Sequence, residues 1–218
     1  MVCFNNNNEQ AGVGLETRIQ VRSFDSDLNP EQFQVIPRFP VYAVLENLRS
    51  AFNVGSIIRT ADCALLKMVY LCGITAHPPH RKLDKTSLGA LPFVQWEYRE
   101  SALEAVRECR SKSIPVAALE LTDRSQCLWE IDFPLPVALV MGNEALGVSR
   151  EVLNEVDHIV EIPMLGYKNS INVAVAFGVA VYEIQRQHWG SASRDSWKTR
   201  LKRNQPVRQT GPCRCVEK

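Results

Sequence analysis

The chain has 218 residues, 45% of them hydrophobic and 22% charged, with 25 Lys/Arg against 24 Asp/Glu; this excludes a disordered polar tail and suits one large domain with appended ends. No apolar run reaches the roughly 18 residues of a spanning helix, and the Asn-rich start, Met1 to Gln10, lacks the hydrophobic stretch of a secretory signal, so a cytoplasmic protein without membrane association is expected. Seven cysteines (Cys3, Cys63, Cys72, Cys109, Cys127, Cys213, Cys215) form an odd, scattered set that suits reduced thiols better than a disulfide framework. The C-x-C pair Cys213 and Cys215 has neither a second pair nor a flanking His, and no metal site is expected from it.

Residues 1–37 read as a polar arm with a low-complexity patch at Asn5 to Asn8 and one helix after Pro30. From Val41 short β-branched runs alternate with helical patterns, the texture of βαβ units, so the expected fold is α/β, a mostly parallel sheet with helices on both faces over residues 38–187. Strands are expected at Val41–Leu45, Met68–Cys72, Val94–Tyr98, Pro115–Leu119, Val137–Met141 and His158–Ile162. A helix at Asn53–Leu66 carries Ile57, Ile58, Ala61, Ala64 and Leu65 on one face. Another at Ser101–Ser111 opens on a Ser cap with Glu104 three positions later. The helix at Ser170–Gln187 is apolar almost all round through Val181 and should be buried. Residues 188–218 form a basic tail, with Arg194, Lys198, Arg200, Lys202, Arg203, Arg208, Arg214 and Lys218 against Asp195 and Glu217, which leaves a mildly acidic body. Such a tail, with Trp189 and Trp197 available to stack, fits a polyanionic partner; a solvated end is the plainer reading.

Three segments carry more polar chemistry than a turn requires. In the first, Leu45-Glu46-Asn47 ends a strand and Asn53-Val54-Gly55-Ser56-Ile57-Ile58-Arg59-Thr60 opens a helix. Asn53 and Arg59 are six residues apart, about 600° of rotation and so roughly 120° apart around the axis; they can still converge on one ligand, because Asn53 sits at the helix mouth and Arg59 is long. The plain alternatives are an N-cap for Asn53 and a surface charge for Arg59. In the second, the strand Val137–Met141 runs into Gly142-Asn143-Glu144-Ala145-Leu146-Gly147, placing two glycines at the carboxyl end of a strand, where open α/β sheets bind ligands. Neither G-x-G-x-x-G nor G-x-x-x-x-G-K-[ST] is present, which leaves a nicotinamide dinucleotide or a nucleoside triphosphate unsupported. Glu144 could simply cap the next turn. The third is Ile162-Pro163-Met164-Leu165-Gly166-Tyr167-Lys168-Asn169-Ser170-Ile171-Asn172, in which Ser170 is a natural N-cap and Asn172, at the mouth of a buried helix, needs hydrogen-bond partners.

Together and in this order, N-x-x-x-x-x-R, G-N-E-x-x-G and I-P-M-x-G-x-x-x-S-x-N resemble the SpoU, or TrmH-like, family of the SPOUT superfamily over roughly Val41 to Gln187. The resemblance implies an RNA ribose 2′-O-methyltransferase that uses S-adenosylmethionine, folded with a deep C-terminal trefoil knot that topology rules alone make improbable. It also implies that Leu119, Glu120, Leu121, Gly142, Ile162, Met164 and Ile171 hold the cofactor, and that Arg59, Asn53, Ser170, Asn172 and Glu144 stand at catalytic and RNA-handling positions. Thr86-Ser87-Leu88-Gly89-Ala90 is similar to the loop after the second strand in that family. The family builds its site against a partner subunit, which implies a homodimer. Short extensions in place of a separate RNA-binding domain are more like members that modify the D-loop guanosine of tRNA than members that modify rRNA. An RNA-binding protein without catalysis, or an enzyme on a small molecule, are the rival classes. One departure is local: where the family has a Gly-containing turn, Cys63-Ala64-Leu65-Leu66-Lys67 should run straight into the next strand.

Overall fold

The computed structural model describes residues 29–189. Most of the N-terminal arm and the basic tail, with Cys3, Cys213, Cys215 and Trp197, lie outside the described residues. In chain order the elements are α1 (Pro30–Gln34), β1 (Phe39–Glu46), α2 (Ala51–Cys63), β2 (Leu66–Cys72), α3 (Arg81–Thr86), a 3-10 turn (Leu91–Phe93), β3 (Trp96–Arg99), α4 (Ala102–Ser111), β4 (Val116–Leu119), β5 (Gln126–Cys127), β6 (Val137–Met141), α5 (Arg150–Leu153), β7 (His158–Glu161) and α6 (Val173–Gln187).

Seven strands form one sheet in the order β3-β2-β1-β6-β4-β7-β5, and every pairing between them is parallel. Side chains alternate between the two faces with the period of the pleat. Val41, Ala43 and Leu45 of β1 with Val137, Leu139 and Met141 of β6 pack with Ile57 and Ile58 of α2 and Phe177, Val181 and Ile184 of α6. Val44, Ala138 and Val140 point the other way, into a second cluster with Ala105, Val106 and Cys109 of α4 and Val152 of α5. Strands β4 and β6 are apolar along their whole length because both faces are covered. On the second face Tyr70 is buried, and its hydroxyl donates to Glu108 Oε1 at 3.1 Å. Glu108 also accepts from Lys112 at 2.7 Å and from Arg99 Nε at 3.0 Å. The Lys112 ammonium, joined by Arg99 and Tyr70, outweighs burial and holds the Glu108 carboxyl down to about 2. Burial pushes the Cys72 thiol up to about 12 and the Cys109 thiol up to about 11.

Several local expectations need correction. The second helix starts at Ala51, not Asn53, because Ser50 caps it: its Oγ accepts from the Asn53 N–H at 3.3 Å. It ends at Cys63, and the chain does not run straight on. Leu65 turns through a left-handed φ of 55° with its N–H on the Asp62 carbonyl, so a leucine makes the turn that a glycine makes more cheaply. The last helix starts at Val173 and its cap is Asn172, not Ser170. That helix is not buried all round: Val175 and Tyr182 are 55% and 50% exposed. The third strand begins at Trp96, because Leu91–Phe93 form a 3-10 turn, and two-residue β5 is too short to leave a periodic signal. Helix α1 packs through Phe33, whose ring meets Phe93 edge-on at 5.3 Å.

Candidate active site

Strands β1, β4, β6 and β7 all end on one edge of the sheet, and the loops leaving them enclose a cavity of about 910 Å³. This is the edge where parallel sheets bind ligands, and the volume lies in the usual range for ligand clefts. Its floor is Met141, Gly142 and Ala176; its walls are Leu119–Leu121, residues 143–147, and the segment from Glu161 to Val173. All seven residues expected at a cofactor line it: Leu119, Glu120, Leu121, Gly142, Ile162, Met164 and Ile171. So do Asn53, Glu144, Ser170 and Asn172. Arg59 does not. It lies on the other side of α2, in a second cavity of about 350 Å³ with Ser56, Thr60, Cys63, Thr86 and Tyr182. Asn53 and Arg59, offset by about 120° around the helix, thus line different cavities.

The polar residues of the first cavity form one connected chain. Glu144 accepts from the backbone N–H groups of Arg49 (2.8 Å) and Ser50 (3.0 Å) and from Asn53 Nδ2 (3.0 Å). Burial would raise its pKa, but these donors together hold the carboxyl below the usual range, an anion placed where a helix N-terminus favours one. Asn53, relieved of capping by Ser50, turns its Oδ1 to Asn172 Nδ2 at 3.0 Å. Asn172 in turn accepts from Ala174 and Val175 N–H at 2.9 and 3.4 Å, capping α6. It is exposed rather than buried, and both its amide oxygen and its amide nitrogen have partners. Three residues drawn from α2, the loop after β6 and the start of α6 thus tie two helix N-termini to one strand end. Ser170 is exposed on the cavity wall, outside this chain.

Two glycines shape the floor and one wall. A Cβ on Gly142 would fall 2.2 Å from the Gly147 carbonyl carbon. Gly147 has φ +70°, and a Cβ there would lie 2.3 Å from Glu120 Oε2. That oxygen accepts the buried Val148 N–H at 2.8 Å, so Glu120 joins the loop after β4 to the loop after β6. Asn143, whose role the residue pattern does not announce, closes this turn: it accepts from Ala145 and Leu146 N–H at 2.9 and 3.0 Å and donates to the Asn47 carbonyl at 2.6 Å. Its only signal is an amide between a close-packed Gly and an exposed Glu at a strand end. Thr86 packs against α2 where Gly55 has no side chain, since a Cβ there would sit 1.9 Å from Thr86 Oγ1.

The donor set suits an adenosyl-containing sulfonium. Strand-end backbone at Leu119–Leu121, Gly142 and Ile162 can pair with a base edge, while Leu121, Met164 and Ile171 provide apolar cover. A model of the SpoU rRNA methylase family matches residues 40–182, the span that builds this cavity. The chain belongs to the SpoU methylase family. It is 31% identical over 150 residues to an uncharacterised tRNA/rRNA methyltransferase of Synechocystis, covering 69% of this chain and 54% of that protein. It is also 31% identical over 143 residues to the tRNA (guanosine(18)-2′-O)-methyltransferase of Escherichia coli, covering 66% and 62%. A solved AdoMet-bound rRNA methyltransferase from Sinorhizobium meliloti superposes with a TM-score of 0.65 at 30% identity, covering 73% of this chain and 60% of that one. This SpoU chain therefore spans between half and two thirds of the length of these three proteins. Among its described residues no helix is long and apolar enough to cross a membrane, and no cluster of three or more His, Cys, Asp or Glu is arranged to hold a metal ion.

Proposed function

We propose that this protein is a cytoplasmic, S-adenosylmethionine-dependent RNA ribose 2′-O-methyltransferase, acting on tRNA as a homodimer. The observation that carries this reading is the Glu144–Asn53–Asn172 chain closing a cavity at the strand ends, in a chain of the SpoU family. The tRNA preference rests on the similarity to a tRNA guanosine methyltransferase.

The cofactor, bound by the seven cavity residues named above, supplies a methyl group already activated by its sulfonium. The protein's task is then alignment and deprotonation of a ribose hydroxyl. A guanidinium carries donors and no acceptor, so the base is not Arg59. Its role is to grip the phosphate beside the target ribose and to stabilise the charge that develops on the hydroxyl oxygen; the proton leaves to phosphate or water. Asn53 and Ser170 orient the hydroxyl. Glu144, held as an anion by backbone N–H groups, fixes the α2 entry and stays away from RNA phosphate, which would repel it. Asn172 holds the cofactor loop to Asn53.

The homodimer accounts for Arg59. Phe52, Ser56, Arg59 and Cys63 are all exposed and recur at i, i+4, i+7 and i+11, one stripe of α2. Val175 and Tyr182 are exposed on α6, separated by the partly covered Gly178 and Val179. Tyr182 shares the second cavity with Arg59, so a copy docked on the apolar stripe of α6 meets Arg59. The trefoil knot is part of the same proposal, with the segment from Ile162 to Gln187 passing through the loop that joins β4 to β6. In support, the Gln187 side chain pairs with both the Phe133 N–H and the Ile131 carbonyl at 2.9 Å, and His188 Nε2 lies 2.8 Å from the Phe133 carbonyl, so the end of α6 is held against that loop.

The test is incubation with radiolabelled S-adenosylmethionine and separate pools of unmodified tRNA and rRNA, followed by digestion to nucleosides. Label in a ribose-methylated nucleoside from tRNA, lost with Arg59→Ala, is expected. Label only from rRNA refutes the substrate, and cofactor binding without transfer to either pool refutes the activity.

A further inference from the structure

The loop from Pro163 to Ile171 forms a side of the cavity, yet none of its residues makes a hydrogen bond with the rest of the described chain. It carries the two most exposed large apolar side chains among the described residues, Leu165 and Tyr167, both 99% exposed. Leu146, on the facing loop, is 86% exposed. A single exposed apolar residue needs no explanation, but an aromatic ring projecting fully into solvent at the rim of a ligand cavity does. The next residue, Lys168, places its Nζ 5.9 Å from the centroid of the Tyr167 ring, and Asn169 and Ser170, both exposed, follow it to the Asn172 cap. Four consecutive residues thus offer a π-face, a cation, an amide and a hydroxyl. Those are the groups that meet a base, a phosphate and a sugar.

We propose that the Tyr167 ring stacks on the base of the target nucleotide and that Lys168 takes an adjoining phosphate, so that this loop presents the ribose to the cavity. The inference rests on the proposed action on RNA and names the element that holds the reacting nucleotide. A second copy of the chain is the other candidate occupant of an exposed ring, but the uncovered apolar stripe that suits a copy lies on α6, and Tyr167 stands instead on the rim between Leu146 and Ser170. The cation beside the ring also favours a polyanion. Every base has a π-face, so a stack of this kind positions the nucleotide without choosing its base. The ring, not the phenolic hydroxyl, does the work.

The test compares wild type with Tyr167→Ala, Tyr167→Phe and Tyr167→Trp by fluorescence anisotropy on a dye-labelled, unmodified tRNA transcript, with S-adenosylmethionine affinity by calorimetry and mass by sedimentation measured alongside. Tyr167→Ala should weaken tRNA binding by about 5- to 150-fold, the range for loss of one base–aromatic stack. Phe and Trp should stay within about threefold of wild type, and cofactor affinity and mass should not change. Lys168→Ala should lower the slope of log affinity against log salt by about one. Unchanged tRNA binding in Tyr167→Ala overturns the proposal, as does a parallel loss of cofactor affinity (the ring then covers the cofactor) or loss of the dimer (the ring then meets a second copy). Phe as damaging as Ala overturns the stack in favour of a hydrogen bond. The reading of the function fails separately: tRNA binding that depends on the Tyr167 ring, with no methyl transfer by wild type, refutes catalysis and leaves the stack standing.

Discussion

Gly147→Ala tests whether the cavity wall is held by the carboxylate of Glu120. Gly147 has φ +70°, which costs an L-residue about 1–2 kcal/mol. The new methyl would also lie 2.3 Å from Glu120 Oε2, so the carboxylate must leave the buried Val148 N–H it accepts at 2.8 Å. Losing a hydrogen bond to a charged group costs about 1.5–3 kcal/mol. The substitution should therefore destabilise the fold by about 2.5–5 kcal/mol. In a Glu120→Ala background the clash is gone and the bond already lost, so the same Gly147→Ala change should cost only the backbone strain, about 1–2 kcal/mol. Urea unfolding of the four proteins of this double-mutant cycle, followed by circular dichroism at one fixed chain concentration, gives a coupling energy of about 1.5–3 kcal/mol if the contact holds the wall. A cost of Gly147→Ala that is equal in both backgrounds, within about 0.5 kcal/mol, would refute it and leave the glycine explained by φ alone.

Three further outcomes are expected. If Arg59 serves the cavity of the other copy, co-expression of Arg59→Ala and Asn172→Ala chains should recover activity from two inactive parents, because each mixed dimer then has one intact site. With random pairing this is about a quarter of wild-type activity per chain, and no recovery shows that Arg59 acts within its own chain. The Glu108 carboxyl, held near 2 in the fold against an ordinary 4.5, contributes stability that is fully present above about pH 4.5 and is lost as pH falls toward 2. The urea midpoint of Glu108→Gln should therefore fall less steeply with acid over that window than that of wild type, and parallel curves would exclude the cluster with Arg99 and Lys112 as the cause. Removal of residues 190–218, which carry eight Lys/Arg, should weaken RNA binding and reduce its salt slope while leaving S-adenosylmethionine affinity unchanged; an unaltered slope would show that the tail makes no phosphate contact.

The parts of the fold legible in the sequence are those governed by periodicity, and the parts that are not depend on which of several capable residues takes a job. Val137–Met141 and Val41–Leu45 read as strands buried on both faces because nothing polar interrupts them, and they form the centre of the sheet. Strand β5, two residues held by Glu161 and its neighbours, has no pattern to read. Caps are harder. Ser50 and Asn53 are both good N-caps, as are Ser170 and Asn172, and a choice between them needs the path of the preceding loop. The choice decides the chemistry of the site. Because Ser50 takes the cap of α2, the Asn53 amide is free to join Glu144 to Asn172. Because Asn172 takes the cap of α6, Ser170 is left exposed on the cavity wall, where its hydroxyl has no structural duty. Arg59 shows the same limit from the other side. Helical geometry alone sets it about 120° from Asn53, and only the covering of the other α2 faces shows that Ser56, Arg59 and Cys63 form the exposed stripe, lining a cavity apart from the one that Asn53 lines.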